Sequence, residues 1–313
     1  MARCVEDAAR TWTGPTLSDE EVAPSALVVC SATGIDDRSA LPFWGERETK
    51  YPGNTCRITE VDRDSATANT GGAETSINLR DDESLLGLFE GRAEVCVDIS
   101  GLSHSVWASL VRAALGAKWL RRVTVAYAEP LRYSFHASPA SPTMFDLSDG
   151  FDGLAPLPGF AKLGPPPSEG EAVLVAFLGF EGSRPRVVAA QLDPSPRVIP
   201  VVGMPGFQME LPTYTVASNR EFLDEYRAGA HVRFARANCP FEAMAVLDSV
   251  ARDYADAFIY VAPVGTKPHA LGVVMFALLN PSRVEILYDH PRRRHGRTKG
   301  VGSVHLYRLH ERQ

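Results

Sequence analysis

One pattern constrains the fold of this chain more than any other: the order buried strand, polar turn, small-residue helix, strand occurs twice. The first run is Val95 to Ile99, then Ser100-Gly101, Val106 to Leu115 and Val123 to Pro130. The second is Phe258 to Val264, then Gly265, Ala270 to Leu279 and Val284 to Pro291. Short apolar runs bounded by turn residues suit strands buried on both faces, and a helix between two such strands makes them parallel. The glycines pair, the helices pair, and Tyr-x-x-Pro (Tyr127 to Pro130, Tyr288 to Pro291) closes each run.

The fold class expected from this order is α/β: two tandem Rossmann-like units with mainly parallel sheets, related by internal duplication. Residues 1–24 are polar and aperiodic and read as a loosely ordered arm. The first unit spans 25–163 and opens with Leu27-Val28-Val29-Cys30, which empties into Ser31 to Arg38. The stretch 45–82 suggests a loop with one short strand or helix. Gly164-Pro165-Pro166-Pro167-Ser168-Glu169-Gly170 forbids both helix and central strand, so 164–170 reads as a linker and 171–313 as the second unit.

The chain has 313 residues and is 45% hydrophobic, enough for two modest cores. No apolar run reaches the roughly eighteen residues needed to span a bilayer, and the start lacks a secretory signal, so a cytoplasmic protein without membrane contact is expected. Five cysteines with no Cys-x-x-Cys pair, and no His-Glu-x-x-His, argue for reduced thiols and no metal site. The net charge of -6 disfavours a whole-surface nucleic-acid platform. The tail is nevertheless basic: Arg292, Arg293, Arg294, Arg297 and Lys299 form either an anion or nucleic-acid contact or a solvated edge.

In open parallel sheets, ligands bind beyond the carboxyl ends of the strands, where turns and helix N-termini present backbone N–H groups. The polar clusters fall there. Gly34, Asp36, Asp37 and Arg38 follow one strand, and Asp98, Ser100, Ser103 and His104 another. Gly179, Glu181 and Arg184 follow a third, and Gly265, Thr266, Lys267 and His269 a fourth. In the last, glycine lets a phosphate approach the backbone, threonine caps the helix and lysine adds a point charge; the same residues also make an ordinary helix start. An exposed turn lysine stabilises little, so replacing Lys267 is expected to leave the fold intact.

Asp98 suits either an acid–base or ribose-binding role or a carboxylate accepting N–H bonds from its own turn. Arg38 and Arg184 occupy matching places and suit either phosphate forks or salt bridges to Asp36, Asp37 or Glu181. Tyr288, Asp289 and His290 end the last parallel strand, with a cleft role or a packing role open. His104 and His269 are the remaining acid–base candidates. There is no P-loop, no Gly-x-Gly-x-x-Gly after a strand and no Gly-x-Ser-x-Gly, so no cofactor is expected and no nucleophile-elbow serine stands out.

The strand, Gly265-Thr266-Lys267 turn and small-residue helix at 258–279 resemble the matching element of the CRISPR-associated Rossmann fold ligand-sensor family, which typically reads Thr-Gly-Gly-Thr-Lys-x-Met. Pro263 and Val264 replace its leading Thr-Gly, and His269 stands at the Met position. The doubled arrangement is similar to SAVED-type sensors built from two fused units. The resemblance implies a nucleotide-type small-molecule ligand, a role as sensor or accessory subunit in prokaryotic antiviral defence, and a separate effector protein. Two alternatives stand beside it: a nucleotide phosphodiesterase using Asp98, His104 or His269 as acid–base group, and an interaction or nucleic-acid-contacting subunit using Arg292 to Lys299. Oligomeric state is left open.

Overall fold

The computed structural model describes residues 10–34, 37–136, 145, 147–161 and 172–311. They form two compact units, one of Met1–Tyr133 with His295–Gln313 and one of Ser134–Arg294. The first unit runs β1 (Thr11–Gly14), β2 (Leu27–Ser31), α1 (Pro42–Lys50), β3 (Thr55–Glu60), β4 (Ser65–Thr70), β5 (Ala73–Asn78), α2 (Asp82–Gly87), β6 (Glu94–Asp98), α3 (His104–Gly116) and β7 (Arg122–Tyr133). The second opens with β8 (Ser148–Phe151), β9 (Ala172–Phe177), α4 (Ser183–Ala190), β10 (Arg197–Gly203), α5 (Leu211–Ser218) and α6 (Arg220–Glu225). It continues with β11 (Arg233–Ala235), α7 (Pro240–Asp253), β12 (Phe258–Pro263), α8 (Lys267–Leu279), β13 (Val284–Ile286) and β14 (Pro291–Arg293). The chain then rejoins the first unit as β15 (Thr298–Glu311).

The second unit's main sheet is parallel throughout, in the order β11-β10-β9-β12-β13. Its central strands, AVLVAF and FIYVAP, are apolar almost end to end because both faces are covered, and every residue of β12 is buried. The first unit's sheet is mixed, β1-β15-β7-β6-β2-β3-β4-β5. Only β7, β6, β2 and β3 run parallel; β4 and β5 return as hairpins, and β15 and β1 pair antiparallel beyond β7. The expectation of mainly parallel sheets therefore describes the second unit and not the first.

Strand order is common to both. Counting each unit's central strands in chain order, β4-β3-β2-β6-β7 and β11-β10-β9-β12-β13 both read 3-2-1-4-5. The order reverses between β2 and β6 in one unit and between β9 and β12 in the other, the switch points where such sheets bind ligands. The two copies seen in the sequence, β6-α3-β7 and β12-α8-β13, hold equivalent places. Their residue pairing is different from the expected one. Ser103 caps α3 by accepting from the Val106 N–H, and Thr266 caps α8 by accepting from the His269 N–H, so the caps align Leu102 with Gly265 and His104 with Lys267. Tyr127 and Pro130 lie inside β7, whereas Tyr288 and Pro291 lie beyond the end of β13.

Three boundary expectations are corrected. The first unit ends at Tyr133 rather than 163, and β15 belongs to it, because β15 pairs along nearly the whole of β7. The segment 10–24 is not loose: β1 pairs with β15, Leu17 and Val22 enter the core beside Val28 and Trp44, and the Arg47 guanidinium donates to the carbonyls of Val22, Ala23, Pro24 and Ala26. The stretch 45–82 holds most of α1 and the three strands β3, β4 and β5. Its Gly71-Gly72 pair, at φ 60° and 89°, is the tight turn between β4 and β5, since both positions need left-handed backbone. The linker expected at 164–170 lies outside the described residues.

Candidate functional site

The second unit's switch point is built by the turns after β9 and β12. These turns pack backbone to backbone: a Cβ on Gly265 would stand 2.7 Å from the Leu178 carbonyl oxygen, and one on Gly179 would stand 2.5 Å from that of Val264. The glycines expected to admit a phosphate admit each other's turns instead. Asn219 Nδ2 pins this arrangement by donating to the Gly179 carbonyl at 2.7 Å. Beside it begins α8, buried from Lys267 through Ala277, an apolar helix enclosed on all sides.

Thr266 Oγ1 donates to the Ala237 carbonyl at 2.6 Å while accepting from the His269 N–H, so the cap also ties α8 to the loop after β11. Lys267, the first helical residue, is only 8% exposed, which corrects the expectation of an exposed turn lysine: the helix it opens is central, and its stem is covered. A cation at a helix N-terminus opposes the macrodipole and gains from an anion nearby. His269 is fully buried against Phe177, with Nε2 2.9 Å from the Arg236 carbonyl oxygen. That carbonyl can only accept, so Nε2 carries the proton. Burial pushes the pKa of His269 down to about 4, and its Nδ1 is enclosed without a hydrogen-bond partner. A histidine held neutral and sealed from solvent is placed for structure rather than for proton transfer to a diffusing substrate.

The first unit's switch point is filled by its own side chains. Asp98 is 1% exposed and accepts from Trp44 Nε1 at 2.6 Å and from the Ser100 N–H at 2.8 Å. Ser100 Oγ accepts from the Ala128 N–H, and the Ser103 N–H donates to Glu60 Oε1 at 2.6 Å. A Cβ on Gly101 would meet the Cβ atoms of Ser31 and Ser39 at 2.7 and 2.9 Å. Arg38 is buried, with a guanidinium nitrogen 3.4 Å from the Tyr127 hydroxyl. His104, first residue of α3, lies 5.2 Å from the Trp107 ring. Gly34 is exposed on the loop after β2, Asp37 Oδ2 accepts from the Gly300 N–H, and Asp36 lies outside the described residues. Of the two roles open for Asp98, the structure displays the carboxylate bonded to its own turn.

Three expected ligand residues meet each other. Arg184 forms a bidentate pair with Asp289, Nε to Oδ2 at 2.8 Å and the second nitrogen to Oδ1 at 2.7 Å, and approaches Glu181 at 3.5 Å. The guanidinium carbon stands 5.8 Å from the centroid of the Phe151 ring and 5.8 Å from that of the Tyr288 ring, and Ser148 donates to Glu181. Asp289 raises the pKa of Arg184 further against the cost of burial, whereas burial pushes Tyr288 up to about 12. His290 Nε2 is 3.0 Å from the Ala155 carbonyl oxygen. Geometry of this kind holds a turn in place.

The basic segment divides between the units. Arg292 and Arg293 are on β14 of the second unit, where Arg292 faces Asp152 and Arg294 faces Asp149, each at 3.7 Å. Arg297 and Lys299 belong to the first unit, where Lys299 pairs across the strands with Arg132. Residues that sequence reasoning did not select, Trp44, Asn219 and the carbonyls of Arg236 and Ala237, decide what the chosen ones can do. They come from distant parts of the chain, Trp44 from α1, Asn219 from the junction of α5 and α6 and the two carbonyls from the loop after β11, and no local pattern marks them.

No protein-family model matches the chain, and no curated protein matches it in sequence. Among the described residues no helix is long and apolar enough to cross a membrane. The class defined by the fold is an α/β protein with a Rossmann-like strand order, whose two main sheets are one parallel and one mixed, beside the small antiparallel pair β8-β14.

Proposed function

We propose that the protein binds a nucleotide-type anion at the carboxyl edge of the second unit's sheet, at the start of α8. In this reading it serves as the sensor or accessory subunit of a prokaryotic antiviral defence system and passes the signal to a separate effector. One observation carries it: Thr266 and Lys267 open a thirteen-residue helix at the switch point of an all-parallel 3-2-1-4-5 sheet. Helix dipole and cation there favour an anion together. The ligand class rests on the likeness of Gly265-Thr266-Lys267 to the ligand-sensor family. The equivalent places of β6-α3-β7 and β12-α8-β13 support the accompanying inference of an internal duplication.

The phosphodiesterase alternative keeps only His104 of its three acid–base candidates, since Asp98 and His269 are buried and bonded within the protein. The test is a melting-temperature and product panel of mononucleotides and of linear and cyclic oligonucleotides. A stabilising ligand recovered intact supports the reading; free ligand at a hundred times its Kd adds about 2.7 kcal/mol. A consumed ligand, or no response across the panel, overturns it.

A further inference from the structure

One set of side chains in the first unit, none of them among the switch-point candidates, is arranged for chemistry. Thr13 on the edge strand β1 lies directly opposite His305 on β15, and its Oγ1 is 2.8 Å from His305 Nδ1. Across the imidazole, Nε2 is 2.7 Å from Glu129 Oε1 on β7. The pairing of β7 with β15 shifts register between Val301 and Val304, the stretch that faces Glu129. Such a bulge re-aims a side chain. Thr13 is exposed, while His305 and Glu129 are buried.

The roles follow from hydrogen-bond chemistry. A carboxylate accepts, so the proton of the neutral ring sits on Nε2, which leaves the Nδ1 lone pair to accept from the Thr13 hydroxyl. A hydroxyl within reach of a base that is itself oriented by a third group is the general arrangement of an activated nucleophile, recognised by geometry whatever the chain order. We propose that Thr13, His305 and Glu129 form an acyl-transfer relay that acts on carboxylic esters. Thr13 Oγ attacks the ester carbonyl carbon as its proton passes to His305 Nδ1. The tetrahedral adduct collapses by breaking the bond to the alcohol oxygen, which leaves with that proton. Water, deprotonated by His305, then cleaves the Thr13 ester, and the proton returns to Thr13 Oγ as the carboxylic acid departs. Glu129 is a positioning residue that holds the ring and its tautomer. This activity is independent of nucleotide binding in the second unit.

The test incubates the full chain with p-nitrophenyl acetate, reading nitrophenolate release and mapping the acetyl adduct by peptide mass. Thr13→Val has nearly the same shape without the hydroxyl, and at an exposed position it leaves the fold intact, as its melting temperature will report. The expected result is an adduct on Thr13, release on the order of 10²-fold slower in Thr13→Val, and recovery in Thr13→Ser. Glu129→Gln slows acetylation without moving the adduct. Equal release by Thr13→Val and the parent chain, an adduct on any other residue, or no release above the denatured chain overturns the proposal.

Discussion

The two switch points carry the same strand order and the same capped helix, yet they dispose of their polar side chains differently. In the first unit Asp98 turns inward to the Trp44 indole, Ser100 folds back onto β7, and Gly101 closes on Ser31 and Ser39. In the second the turn glycines close on each other, but the helix that follows begins with Lys267 where the first unit has His104. A Rossmann-like order supplies a place for a ligand; whether the place is used depends on which side chains the protein's own packing engages first. In the first unit the Asp98 carboxylate accepts from the Trp44 indole and the Ser100 amide. Beside the second switch point a carboxylate is engaged by the Arg184 guanidinium.

The contrast can be broken in four ways, and the largest effect is expected at Arg184. Truncation to alanine leaves Asp289 buried without its counter-charge and costs about 3–5 kcal/mol, read as a lower urea midpoint. A cost no larger than that of truncating Asp98 would erase the distinction between the sites. The next effect is that of acid on His269. Its folded pKa of about 4 lies below the ordinary 6.5, so between those values the unfolded chain binds a proton that the folded chain does not. Stability from this residue is complete above pH 6.5 and falls by about 3 kcal/mol as the pH drops to 4. His269→Phe should flatten that part of the stability–pH curve, and an unaltered slope would show that His269 is not its source.

Asp98→Ala comes third. It strands the Trp44 N–H and the Ser100 N–H, costs about 1–3 kcal/mol and alters tryptophan fluorescence, while a neutral outcome would mean that the carboxylate is not what holds the turn. Lys267→Gln has the smallest structural effect. It keeps most of the buried stem and should shift stability by under about 1 kcal/mol. A larger loss would make the lysine primarily a packing residue.

Much of the order was legible in the sequence and much of the site was not. The apolar runs at 27–30, 172–177 and 258–263 read directly as buried strands because both of their faces are covered. The hairpins between 55 and 78 did not, since their alternating Thr, Ala and Asn residues carry little apolar signal and register comes from cross-strand pairing. The return of β15 to the first unit was hidden for a similar reason: its partner β7 lies far away in the chain. The candidate residues lie in the turns at the carboxyl ends of the strands, but their bonding is set by Trp44, Asp289 and the Ala237 carbonyl, none of them neighbours in sequence. The Thr13, His305 and Glu129 relay shows the same limit, because its members meet only through strand pairing.

The most direct measurement is the affinity of a nucleotide that stabilises the protein, titrated calorimetrically into the parent chain, Lys267→Gln and Asp98→Asn. The account predicts at least a roughly tenfold loss of affinity in Lys267→Gln, about 1.4 kcal/mol, and unchanged binding in folded Asp98→Asn. Weakened binding in Asp98→Asn with Lys267→Gln unaffected would contradict it and move the site to the first unit.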